Sequence, residues 1–339
     1  MEKRDPLPIN IKFYHAPDMQ CWKGRIDGTA ETELRWHQHV QPLNLVAPFK
    51  QSLEGCVILL GFPCDEGVKR NGGRTGAAQG PAALRDALCN LPVFYPDLSI
   101  YDAGDIVCRE NDLKTAQVQL AAAVKRICEH GAFPLVLGGG HEVTYGHYRG
   151  IAESIRHESG ARRVGTVNFD AHFDNREPKG SEPNSGTGFW QIAKDCKEEN
   201  HPFHYLALGI QKTSNTPSLF NTAHQTGTQY VLAEHFTKDD QHIPQGLIAA
   251  FIEAVDSIYL TIDLDVFAAA YAPGVSAPAY SGILPDRVFF ECLDSLFNSG
   301  KVVSMDIAEL NPDFDIDNRT ARLAASLIFH VIARLADRH

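Results

Sequence analysis

Short apolar runs rich in β-branched residues recur along the chain, and each ends in glycine or a polar cluster before a longer helical pattern begins. The pattern predicts strands near residues 56–61, 99–103, 133–137, 163–169, 204–209, 228–232, 257–263 and 301–306. Amphipathic stretches lie between several of them, such as 112–130 (DLKTAQVQLAAAVKRICEH) and 244–256, each long enough for a helix whose apolar stripe packs on a sheet. That alternation predicts an α/β fold with a largely parallel sheet. No repeat, low-complexity tract or Pro/Gly/Ser-rich linker divides the sequence, so residues 1–339 are expected to form one domain. Residues 1–50 are irregular and aromatic, with Trp22 and Trp36, and are expected to form an arm or cap around it.

Ligands of parallel sheets collect beyond the carboxyl ends of the strands, so the polar residues after each apolar run are read first. Behind the run at 133–137 stand Gly138, Gly139, Gly140, His141 and Glu142; the glycines allow tight turns and close backbone approach, which carries His141 over the end of the sheet. A phosphate loop has a similar look, but the Lys-Ser/Thr of a P-loop and the GxGxxG spacing are both missing. The run ending at Phe169 leads into Asp170-Ala171-His172-Phe173-Asp174. Period-two spacing puts three ligand-competent side chains on one side of that segment, as metal ligands or as a solvated strand end. The run ending at Ile262 delivers Asp263 and Asp265 on one face. Two carboxylates that close repel unless a proton or a cation joins them. Three such strand ends point to a cation, because buried uncompensated carboxylates cost several kcal/mol.

His141, Asp170, His172, Asp174, Asp263 and Asp265 are too many ligands for one tetrahedral zinc, so two metal ions are expected. The oxygen-rich, thiol-free set suits manganese better than zinc, although ligand type alone leaves the identity open. Two divalent ions about 3.5–4 Å apart can share one water and lower its pKa, which makes metal-assisted hydrolysis the expected reaction class. A fourth strand end, Ser304 to Pro312, brings Asp306 and Glu309 to the same rim. Glu309 there either pairs with a cationic nitrogen of the substrate or caps the next segment, and Asp306 reads as structural.

Composition narrows the partners. A net charge of −11 at pH 7 opposes nucleic-acid binding but leaves room for a small anion held by local arginines. Eight cysteines without a CxxC pair predict reduced thiols in a cytoplasmic protein. The opening segment MEKRDPLPIN is charged where a secretory signal is apolar, and no apolar run reaches the ~18 residues of a membrane span, so no membrane partner is expected. His147, His201, His204 and His224 lie near candidate loops without a motif and are read as structural.

In order and approximate spacing, GGGHE, DAHFD, TIDLD and the later Glu309 resemble the arginase and agmatinase superfamily over roughly residues 55–335. The resemblance implies a three-layer α/β/α arginase-type sandwich with an eight-stranded, mostly parallel sheet, and a homo-oligomer. It implies two Mn2+ per subunit, one held by His141, Asp170, Asp174 and Asp263 and the other by Asp170, His172, Asp263 and Asp265, with Asp170 and Asp263 bridging. The DxDxxDP continuation of arginases is absent. Residues 263–282 read DLDVFAAAYAPGVSAPAYSG and look like the formimidoylglutamase family, as do residues 66–77 and NSGTGF at 184–189, where that family usually has proline in place of Gly188. The histidine that arginases place in this loop region is missing too.

The implied activity is hydrolysis of N-formimidoyl-L-glutamate to L-glutamate and formamide in histidine degradation. Glu309, Asp170 and His172 are the implied catalytic residues, with Glu309 on the amidinium and Asp170 or solvent passing a proton to the leaving nitrogen. Expulsion of ammonia instead would give N-formylglutamate. A substrate with two carboxylates needs cationic recognition, for which Arg74 and Arg176 are well placed in sequence, with Asn175, Ser185 and Asn215 as further contacts. Either arginine can instead salt-bridge a neighbouring acid. An agmatinase, guanidinobutyrase or other urea-releasing enzyme is the alternative within the class, and a metal-binding protein without turnover the alternative outside it.

Overall fold

The computed structural model describes residues 9–155 and 163–338; the first eight residues of the opening segment lie outside them. The strands are β1 (Tyr14–His15), β2 (Gln41–Pro42), β3 (Val57–Phe62), β4 (Ile100–Ile106), β5 (Phe133–Gly138), β6 (Val164–Phe169), β7 (His204–Ile210), β8 (Gln229–Leu232), β9 (Ser257–Asp263) and β10 (Val302–Ala308). They form one sheet in the order β1-β4-β3-β5-β10-β9-β6-β7-β8, with β2 also beside β4. Every pairing is parallel except β1 with β4. The eight expected strands are β3 to β10. The sheet has ten because the arm adds β1 and β2, which at two residues each are too short to leave a hydrophobic pattern.

Central strands read as continuous apolar runs because helices cover both faces. All six residues of β3 are buried, and they alternate between two apolar clusters: Val57 and Leu59 face one, Ile58, Leu60 and Phe62 the other. The first cluster takes its helical residues from Gly80–Cys89, His242–Ala254, Arg287–Asn298 and Arg319–Ala336; the second from Leu113–Cys128, Val143–Ile155, Gly188–Glu198 and Pro217–Thr226. These are the three layers of the sandwich. The stretch expected as a helix over 112–130 starts where the Asp112 side chain accepts from the Thr115 N–H, an N-cap that satisfies one of the free donors of the first turn. Among the described residues no helix is long and apolar enough to cross a membrane.

Residues 9–50 lie along this body. Trp22 and Trp36 are buried, and the Trp22 indole N–H donates to Asp102 Oδ2 at 2.7 Å. The Arg85 guanidinium of the helix Gly80–Cys89 grips the same carboxylate with two bonds of 2.8 and 2.9 Å, so the arm is tied to β4 through a hydrogen bond to a buried carboxylate whose charge is balanced. For the site, the decisive feature is that β5, β10, β9 and β6 are consecutive in the sheet. Their carboxyl ends bring together four segments remote in sequence.

Candidate metal centre

The turn after β5 works because its glycines leave no room for a side chain. A Cβ on Gly139 would sit 2.0 Å from the Cys64 carbonyl oxygen, and the Gly139 and Gly140 N–H groups donate to Phe62 and Cys64 at 2.9 and 2.8 Å. This close approach sets His141 over the sheet. Glu309, just past β10, has φ 70°, and Asp174 has φ 45°, a region that side chains other than glycine occupy at a cost of about 1–3 kcal/mol. Surrounding bonds hold Glu309 there: its N–H donates to the Gly139 carbonyl at 2.7 Å, and its Oε1 accepts the His141 N–H at 2.7 Å.

Two groups of side chains converge beside it. His141 Nδ1 lies 3.1 Å from Asp170 Oδ2, 2.9 Å from Asp174 Oδ2 and 3.3 Å from Asp263 Oδ2. His172 Nδ1 lies 3.4 Å from Asp170 Oδ1 and 3.1 Å from Asp265 Oδ2. Within each group the ligand-competent atoms lie within 4.8 Å of one another. Asp170 turns one oxygen to each group, as a bridging ligand would. Asp263 was expected to bridge as well; its Oδ2 joins the first group, and its Oδ1 accepts the Asp265 N–H at 2.8 Å, as Asp170 Oδ1 accepts the His172 N–H at 2.6 Å, which leaves each a lone pair for a cation.

Burial makes the site costly without cations. It pushes the carboxyls of Asp263 and Asp174 up, Asp263 far above the usual range, and that of Asp265 up to about 6, with neighbouring carboxylates adding to each. Asp170 goes the other way: hydrogen bonds from His141 and His172 outweigh burial and hold it below the usual range. Burial disfavours charge on both imidazoles, yet the surrounding carboxylates overcome this and raise them well above the ordinary value. Two divalent cations would relieve that crowding and balance four carboxylates, so the donor set fits a binuclear centre.

Asn71, Arg176, Ser185, Ser276 and Glu309 line the cleft beside His172, Asp174, Asp263 and Asp265. Glu309 Oε2 makes no hydrogen bond of normal length, and burial raises its carboxyl to about 7, opposed by the neighbouring Ser276 hydroxyl. Arg176 donates to Asn71 Oδ1 at 2.8 Å, and Asn71 in turn donates to Ser185 Oγ at 3.1 Å. The other residues expected at the substrate point elsewhere. Arg74 donates to the carbonyls of Ser276 and Val275 at 3.2 and 2.5 Å and covers the Phe314 ring at 3.9 Å, so it braces the loop that carries Ser276. Asn215 clips the DAHFD segment, accepting from the Phe173 N–H at 3.0 Å and donating to the Ala171 carbonyl at 2.8 Å. Asn175 donates to the Leu219 carbonyl at 3.1 Å. Gly188 begins the helix Gly188–Glu198 with φ −56°, a value proline also adopts, so its departure from the family pattern leaves the backbone unchanged.

Sequence reading did not single out Asn71 or Ser276. Both lie in the loop segments that carried the resemblance, but nothing local in those segments says which side chain turns inward.

The arginase family matches residues 56–333. The formimidoylglutamase of Rhodococcus jostii (strain RHA1) is 46% identical over 313 residues, 92% of this chain and 95% of that protein. The formimidoylglutamase of Chromobacterium violaceum is 44% identical over 320 residues, 94% of this chain and 99% of that protein. The crystal structure of Trypanosoma cruzi formiminoglutamase with Mn2+2 matches with a TM-score of 0.72 at 28% identity, covering 87% of this chain and 98% of that one. By fold, by the matched span and by identity over nearly its whole length, this chain belongs to the arginase family.

Proposed function

We propose that this arginase-family chain hydrolyses N-formimidoyl-L-glutamate to L-glutamate and formamide at a pair of Mn2+ ions. The observation that carries this is the pair of buried carboxylate-imidazole groups sharing Asp170, set against a cleft that offers a Glu309 oxygen and the Arg176 guanidinium. The names of the similar proteins support the same substrate and metal.

His141, Asp170, Asp174 and Asp263 would hold one ion, and Asp170, His172 and Asp265 the other. When bound, the pair supplies a water of lowered pKa and Lewis acidity at the attacked carbon. The chain's own groups do the rest. Glu309 Oε2 accepts from the amidinium nitrogens, and the bond from the His141 N–H to Oε1 keeps that carboxylate from turning away. Arg176, aligned by Asn71, receives a carboxylate of the substrate. The departing nitrogen is the glutamate amine, which needs a proton. Asp170 turns one oxygen to each ligand group, and a carboxylate shared by two cations would carry no proton, so solvent in the cleft is the proton source.

The reaction places the chain in histidine degradation. A cytoplasmic location and homo-oligomeric assembly belong to the same proposal and are tested by cell fractionation and solution scattering. Turnover of N-formimidoyl-L-glutamate, agmatine and arginine, measured side by side, tests the substrate: preference for a guanidine with release of urea would overturn it.

A further inference from the structure

Behind His141, on the side away from the carboxylates, buried polar side chains of β9, β10 and the helix Val143–Ile155 form one hydrogen-bonded row. His141 Nε2 lies 2.9 Å from Thr261 Oγ1, and Thr261 Oγ1 donates to Asp306 Oδ1 at 2.6 Å. Asp306 Oδ2 accepts from the Tyr259 hydroxyl and lies 2.6 Å from His147 Nδ1. His147 Nε2 lies 2.5 Å from Ser304 Oγ, which donates to the Pro134 carbonyl at 2.9 Å. Thr261, Asp306, His147 and Ser304 are fully buried, so water does not compete for these bonds.

The hydrogens in such a row are not free to be placed anywhere. A carbonyl only accepts, so the Ser304 hydrogen is committed to Pro134, and Ser304 can only accept from His147. The 2.6 Å contact between His147 Nδ1 and Asp306 Oδ2 holds one further proton, shared by those two atoms, so Asp306 Oδ1 is left to accept the Thr261 hydroxyl hydrogen, and what Thr261 then offers His141 is a lone pair. The His141 hydrogen therefore belongs on Nε2. Nδ1, which lies among Asp170, Asp174 and Asp263, is then the nitrogen able to give a lone pair to a cation. In the opposite order, a hydrogen on Asp306 Oδ1 would go to Thr261 and that of Thr261 to Nε2. Nδ1 would then keep its hydrogen and the first metal position would be closed.

We propose that Thr261 and Asp306 are positioning residues of the first metal position, holding His141 with its hydrogen on Nε2 and its Nδ1 lone pair facing the cation. This rests on the binuclear reading of the site. It also gives the buried Asp306, which reads as merely structural in the sequence, a reason to be a carboxylate. Partners of this kind, one bond removed from the metal, change metal affinity by roughly 10- to 100-fold.

The test strips the protein of metal and titrates it with Mn2+ alone by calorimetry, with Mn2+ electron paramagnetic resonance as a second readout. Thr261→Val keeps the shape of the side chain and removes the acceptor. The unsubstituted protein should take two ions. Thr261→Val should bind one of them roughly 10- to 100-fold more weakly while keeping the other ion's affinity. Thr261→Ser should restore it. Should Thr261→Val fail to fold, the unsubstituted protein loaded with diamagnetic Cd2+ still decides the matter. Its histidine 15N spectra should show one buried ring with metal on Nδ1 and hydrogen on Nε2, and metal on Nε2 of that ring would overturn the proposal. Two ions bound with equal affinity in the unsubstituted and Thr261→Val proteins would overturn this inference alone. Failure of the unsubstituted protein to bind a pair of ions would overturn the binuclear reading and this inference with it.

Discussion

Removing the metal should destabilise the protein, and the loss should grow as pH rises. The buried groups of the site set both size and sign. An ion present at 100 times its Kd stabilises the folded state by about 2.7 kcal/mol, so two ions contribute about 5 kcal/mol. At roughly 2 °C per kcal/mol for a domain of this size, chelation should lower Tm by about 10 °C. In the metal-free state the carboxyls of Asp174, Asp263, Asp265 and Glu309 titrate above their ordinary values, with Asp265 at about 6 and Glu309 at about 7. Their contribution to stability is complete below the ordinary carboxyl value and is lost as pH climbs through the raised ones. The imidazoles of His141 and His172 are raised too, so their contribution is complete below about pH 6.5 and also declines upward. Asp170 is lowered and acts in the opposite sense, but its contribution changes only below its ordinary value near pH 4 and is constant over the working range. Between about pH 5 and pH 8 the metal-free protein therefore loses stability, while Mn2+ meets fewer competing protons. Differential scanning calorimetry of chelated and Mn2+-reloaded protein across that range should show a Tm gap that widens with pH. A gap that is absent, or that narrows toward pH 8, would refute the assignment of these groups to a metal site.

Arg176→Ala should lower kcat/KM for N-formimidoyl-L-glutamate by roughly 10- to 150-fold, the worth of a hydrogen bond to a charged group, and Arg176→Lys should recover only part. Arg74→Ala should instead cost about 1–2 kcal/mol of stability in urea unfolding, since that guanidinium holds the Val275 and Ser276 carbonyls; a KM defect equal to that of Arg176→Ala would contradict the separation of the two arginines. Glu309→Gln keeps an acceptor for the His141 N–H but removes the charge facing the amidinium. It should lower kcat/KM about 100-fold with two Mn2+ still bound by elemental analysis. Asn215→Ala leaves the Phe173 N–H unpaired in the interior, while the Ala171 carbonyl keeps the Gln211 N–H, and should cost about 1–3 kcal/mol; unchanged stability in a denaturant titration would be the wrong result for that clip.

The strands and ligands are the parts that sequence makes legible, for a local reason. A strand covered on both faces must be an apolar run, as in β3 and β5, and a ligand delivered by a strand end must follow that run at period two, as Asp170, His172 and Asp174 do. What stays hidden depends on partners far along the chain. Arg74 and Arg176 look alike in sequence, yet Arg74 is consumed by carbonyls 201 and 202 residues away. His147 carries no motif because Asp306 and Ser304 lie 159 and 157 residues beyond it. Asp263 follows its strand as a ligand should, but that the backbone N–H of Asp265 orients one of its oxygens is visible only in the fold. The short β1 and β2 exist because β4 offers them backbone partners, which no pattern within two residues can announce.

The substrate and the bond cleaved are tested most directly by incubating the Mn2+-loaded protein with N-formimidoyl-L-glutamate and measuring formamide, ammonia and glutamate together. Formamide and glutamate should appear in equal amounts, at a rate abolished by chelation and restored by Mn2+. Ammonia with N-formylglutamate, or no turnover of this substrate by protein that holds both ions, would contradict the proposed function.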